Sequence, residues 1–69
     1  MSRGKPGDLT SRERQVLRLY ARGFTYEAIA EELEISAKTV GSYLQRVREK
    51  SRTHNRNELM LLAMKEKLL

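Results

Sequence analysis

The sequence contains no cysteine and a single histidine. Without cysteine there is neither a disulfide framework nor a thiolate zinc site, and nothing argues for an oxidising compartment. No apolar run approaches the length of a membrane span. Residues 1–8 are polar and no apolar stretch follows their charges, which excludes a signal peptide and leaves a disordered tail or the stub of a linker. A cytoplasmic location without membrane attachment follows by default. Catalytic groups are also scarce. His54 sits in a predicted loop beside basic residues with no orienting partner nearby, and the clustered glutamates fall on a solvated helix face. These absences argue against an enzyme and call for no metal or cofactor. Apolar residues are in short supply as well, at 39% of 69 residues, so the one domain expected over residues 9–69 must have a small core and fold alone only marginally.

Charge is what the chain has in quantity, with 14 basic against 9 acidic residues, unevenly distributed. Glu27, Glu31, Glu32 and Glu34 make one segment acidic. Lys38, Arg46, Arg48, Lys50, Arg52 and Arg56, against Glu49 alone, make the next one basic. A concentrated basic segment is the footprint of a polyanion partner; on charge alone, a merely solvated basic face is an equal alternative.

Apolar spacing organises the chain into helices. Leu9 is the first anchor, and Thr10 stands three residues ahead of Glu13 as a capping box, opening a helix over about 11–22 in which Val16, Leu17 and Tyr20 share a face and Gly23 supplies the stop. Thr25 caps a two-turn helix with the stripe Ile29, Ala30 and Leu33, and with Glu27 near the positive end of its dipole. Ser36 caps a third helix over about 37–50, in which Val40, Leu44 and Val47 recur at core spacing. The run from Asn55 to Glu58 is a second candidate capping box, opening a fourth helix that carries Leu59 through Lys67. The fold class is therefore all-α with four helices.

The second and third helices are joined by only two or three residues, the pattern of a helix-turn-helix whose second helix enters the DNA major groove. Ala30 supplies the small residue at the crossing. Glu34 stands where many such turns have glycine, so a residue with a side chain is expected in a left-handed conformation at a cost of about 1 kcal/mol. At about 100° per residue, Lys38, Ser42, Gln45 and Glu49 form a line opposite the apolar stripe. Lys38 suits guanine acceptors, Gln45 the paired donor and acceptor of adenine, and Ser42 either edge. Thr39, Tyr43, Arg46 and Lys50 flank that line on a side suited to phosphate oxygens, and Thr25 and Tyr26 lie at a helix N-terminus that favours phosphate. Tyr43 is equally suited to a half-buried place with its hydroxyl at the edge.

The segments Leu9 to Leu17, Ile29 to Leu33, Ile35 to Val40 and Asn55 to Leu59 together resemble the LuxR/NarL-type (GerE-type) helix-turn-helix domain, without an insertion over residues 9–69. The resemblance implies a four-helix domain whose third helix reads double-stranded DNA and whose fourth often dimerises, standing alone or as the output module of response regulators and quorum sensors. It implies base contacts at Gly41, Ser42 and Gln45 and phosphate contacts at Thr39, Tyr43 and Lys50, with RNA polymerase as a further partner. Three departures bear on this. Gly41 stands where the family usually has a basic or polar residue, Tyr43 replaces a frequent histidine, and Ser51-Arg52-Thr53 replaces the usual Leu-Gly-Val, removing the expected stop of the third helix.

Region 4 of a bacterial sigma factor also resembles the stretch from Tyr26 to Lys50. The fourth helix favours the LuxR type, being apolar all round: Leu59, Leu62 and Ala63 suit the core, while Met60, Leu61, Met64 and Leu68 are expected as a second face for a homodimer partner. An interaction module that has lost DNA binding is the reading from a different class, motivated by Gly41 and Glu49 on the third helix.

Overall fold

Each predicted N-cap is met in the computed structural model, which describes residues 9–68. Thr10, Thr25, Ser36 and Asn55 accept, through their side chains, the backbone N–H three residues on, and open α1 (Ser11–Ala21), α2 (Tyr26–Leu33), α3 (Ala37–Ser51) and α4 (Arg56–Lys65). Such a bond satisfies one of the donors that a helix start leaves unpaired. At α1 the capping box is complete, since Glu13 returns a bond to the Thr10 N–H at 2.9 Å. At α4 the reciprocal half is displaced by one residue: Glu58 accepts from the His54 N–H rather than from Asn55. The tail expected over 1–8 lies outside the described residues.

The four helices also end alike. In each, a left-handed residue lies one or two positions past the end and the N–H after it bonds back to the carbonyl five residues earlier: Phe24 to Leu19, Ile35 to Ala30, Thr53 to Arg48 and Leu68 to Ala63. Only the first uses glycine, Gly23 at φ 100°; Glu34, Arg52 and Lys67 take φ near 60° with full side chains. Glu34 thus adopts the strained turn expected of it. The third helix, expected over about 37–50 without the usual glycine stop, ends at Ser51 with Arg52 left-handed. Ser51 donates to the Val47 carbonyl and its hydroxyl bonds that of Thr53, so local polar bonds hold the turn where glycine is missing. The fourth helix stops at Lys65, two residues before the expected end, because its own left-handed turn intervenes.

Among the described residues no strand forms, and α1 is the element against which the others assemble, packing on α2, α3 and α4. Its stripe serves two apolar clusters. Val16 joins Ile29, Ala30, Val40 and Leu44, which bind α2 to α3; Leu17 and Ala21 join Leu9, Val47, Leu59 and Ala63, which bind α4 to α3 and α1. Tyr20 borders both. The core so formed is small, as the composition required, and each of its large side chains is closed to solvent.

The left-handed stop of α2 gives a direct test. Glu34 is exposed, so Glu34→Gly removes the steric cost of its conformation with little lost contact. Stability should rise by up to about 1 kcal/mol, the strain relief being partly offset by added freedom of the unfolded chain. Chemical denaturation would show it as a higher midpoint at unchanged slope.

Candidate nucleic-acid interface

The α2-turn-α3 unit is fixed by the cluster of Val16, Ile29, Ala30, Val40 and Leu44, and this packing decides which side of α3 remains outside. Lys38, Ser42, Gln45 and Glu49, the expected outward line, are all exposed. Gln45 donates to Glu49 across one turn at 3.0 Å, so its amide is already oriented along the helix. Gly41, on the edge of that line, faces Tyr26: a β-carbon there would meet the ring edge at 3.5 Å, an ordinary contact. An alanine would therefore fit there, and the approach of α3 to the Tyr26 ring does not require glycine.

The flanking residues divide. Arg46 is exposed, with its guanidinium 5.6 Å from the Tyr43 ring centroid, and Tyr43 is half-buried against the α2–α3 cluster. Tyr43 thus takes the half-buried place that its amphipathic shape left open. Thr39 is half-buried and occupied in the start of α3, where its hydroxyl lies 2.8 Å from that of Ser36 and its N–H bonds Ser36. Thr25 is exposed and caps α2 through Ala28. Tyr26 is half-buried and meets Tyr20 edge-on at 6.0 Å between centroids; the Tyr20 ring in turn carries the Arg56 guanidinium at 5.0 Å. Tyr26 of α2, Tyr20 of α1 and Arg56 of α4 therefore form a run of ring contacts, with Gly41 of α3 beside the Tyr26 ring.

Lys50 is placed differently from the expectation. Its ammonium donates to Glu13 at 2.8 Å, and the Glu13 side chain is only 2% exposed. A charge expected at a phosphate thus neutralises a buried carboxylate. Burial pushes the Glu13 carboxyl up, but the Lys50 ammonium and the Thr10 N–H together hold it below its ordinary value. Sequence reading gave Glu13 a capping role alone. The further signal was its position on the stripe of Val16, Leu17 and Tyr20, where a charge needs a partner.

The apolar second face of α4 is narrower than expected. Leu61 and Met64 are 64% and 60% exposed. Met60 and Leu68 are half-buried against the cluster of α1, α3 and α4, Leu68 because the turn at Lys67 folds it back over Ala63. Among the described residues there is no grouping of side chains that could hold a metal ion and no helix long and apolar enough to cross a membrane.

Two short helices crossing at Ala30, with a third-helix face of Lys38, Ser42 and Gln45 left open, define a helix-turn-helix of the DNA-binding type. The chain belongs to the luxR family of bacterial regulatory proteins, whose sequence profile, "Bacterial regulatory proteins, luxR family", matches residues 8–63. It is 38% identical over 61 residues to the oxygen regulatory protein NreC of Staphylococcus carnosus, covering 88% of this chain and 28% of that protein. It is 41% identical over 61 residues to the transcriptional activator protein ExaE of Pseudomonas putida, with the same coverage, and 38% identical to the probable transcriptional regulator ycf29 of Porphyra purpurea, covering 88% of this chain and 29% of that protein. The chain thus spans less than a third of the length of these relatives. No solved structure matches significantly. The family match decides between the two helix-turn-helix families that the sequence left open.

The Glu13–Lys50 pair sets an acid limit. A carboxyl held below its unfolded value contributes stability that is present above that value, about 4.3, and is lost as pH falls through the lower folded one. The denaturation midpoint should therefore drop steeply in that acid range for the native chain and more shallowly for Glu13→Gln. Lys50→Ala, which leaves the carboxylate buried without this cation, should cost about 2 kcal/mol at neutral pH, as read by chemical denaturation.

Proposed function

We propose that this domain regulates transcription by binding duplex DNA, laying α3 in the major groove with Lys38, Ser42 and Gln45 toward base edges and Arg46 toward phosphate. The observation that carries the reading is the open outer line of α3, exposed next to a helix-turn-helix crossing. The names of its relatives, regulators and an activator of transcription, support the same class. Gly41, at the edge of that line, would let the α3 backbone approach the groove closely. Thr25, Tyr26, Thr39 and Tyr43 act at the edge of the groove, where cap hydroxyls and backbone N–H groups meet phosphates while also holding the helices. Lys50 acts through Glu13, as an anchor of α3.

Two copies would occupy two half-sites related by a two-fold axis, with the exposed pair Leu61 and Met64 of α4 as the shared patch. That patch is far smaller than a stable interface, so the isolated domain is expected to be monomeric in solution and to pair on DNA.

Gln45→Ala should cost about 1–3 kcal/mol at a preferred site found by selection from random duplexes, with nonspecific binding spared. Arg46→Ala should instead weaken all sequences alike and shallow the salt dependence by about 0.9 in the log–log slope. Equal losses on specific and nonspecific DNA for Gln45→Ala would remove it from the base-reading set.

Met64→Glu puts a charge at the centre of the proposed two-fold patch while leaving Leu59 and Ala63 in the core. Sedimentation with a duplex of two half-sites should then show single copies loading independently, in place of cooperative pairs. Undiminished cooperativity at unchanged stability would assign the patch to another partner.

A further inference from the structure

Beyond the outward line, the corner where α3 gives way to the turn before α4 carries charges that the reading above leaves unused. An open cleft of about 370 Å³ lies there, lined by Gln45, Arg48, Glu49, Arg52, Thr53 and His54. Its one carboxylate, Glu49, already accepts from Gln45. Among the described residues no carboxylate pairs with either the Arg48 or the Arg52 guanidinium. The cleft is therefore cationic, open and adjacent to Gln45.

Its position around α3 is the second observation. At about 100° per residue, Arg46 and Arg48 lie about 80° to either side of Lys38. A helix in the major groove is bounded by a phosphate backbone on both sides, whereas the flank of Thr39, Tyr43, Arg46 and Lys50 serves one side only. Arg52 continues the Arg48 side because the chain turns there in the left-handed conformation, with the side chain exposed. That conformation would be less strained with glycine, so the arginine is kept at a steric cost.

We propose that Arg48 and Arg52 form a phosphodiester-binding corner that grips the DNA strand opposite the one met by Arg46. The inference rests on the major-groove reading of α3. Guanidinium groups suit a phosphate because they offer several donors in a planar fork. With one grip on each strand, α3 is held from both sides of the groove while Lys38, Ser42 and Gln45 meet the base edges.

Arg52→Gly makes the test clean, since it removes the charge and relieves the left-handed strain together. Its thermal midpoint should equal or exceed that of the native chain, so a binding loss cannot come from unfolding. Binding to one duplex would be titrated over a range of salt for the native chain, Arg52→Gly, Arg48→Ala and Arg46→Ala. Arg52→Gly and Arg48→Ala should each shallow the slope by about 0.9 and weaken binding roughly eightfold at about 0.1 M salt. Neutral methylphosphonates placed on one strand and then on the other should abolish the Arg52 effect on the strand where the Arg46 effect persists. An unchanged slope and affinity for Arg52→Gly, with Arg46→Ala impaired, would overturn the corner and leave the α3 reading standing. Absence of duplex binding by the native chain even at low salt would overturn both.

Discussion

The Glu13–Lys50 ion pair is the constraint around which the rest of the domain is arranged. A carboxylate 2% exposed would be intolerable alone, and the ammonium at 2.8 Å makes it tolerable. The same carboxylate completes the capping box of α1, so one side chain secures the start of the first helix and holds the far half of the third. Because α1 also packs on α2 and α4, fixing α3 to α1 fixes it to everything else. Lys50, which the spacing places toward phosphate, is thereby also an internal fastener, beside the exposed or half-buried cations Lys38, Arg46, Arg48 and Arg52.

Local chemistry was legible in the sequence where it is local in the structure. Four hydroxyl or amide N-caps, the apolar stripes of α1, α2 and α3, and the strained turn at Glu34 were all readable because each depends on residues three or four apart. Lys50 and Glu13 are 37 residues apart, and no window of helical spacing connects them. The stop of α3 escaped for a different reason: a left-handed arginine, supported by the Ser51 and Thr53 hydroxyls, substitutes for the glycine that sequence reading relies on. On α4, being apolar all round removed the periodic signal that would have told Met60 and Leu68, drawn toward the core, from Leu61 and Met64.

The open face of α3 shows how modest side chains serve two ends. Thr39 and Ser36 spend their hydroxyls on the helix start, and Tyr43 spends most of its ring on the α2–α3 cluster. What remains outward is a short polar line bordered by guanidinium groups. Within it, Gln45 is already held along the helix by its bond to Glu49.

The contacts from Tyr26 through Tyr20 to Arg56 form a seam through α2, α1 and α4, with Gly41 of α3 beside its Tyr26 end. At the α3 end there is space for a methyl group against the ring of the edge-on tyrosine pair. At the other end the seam emerges at the first turn of α4, the helix with the bare apolar pair. The bare apolar pair and the open face of α3 are therefore carried by helices joined through the same two rings, and the angle between these surfaces is a property of the fold.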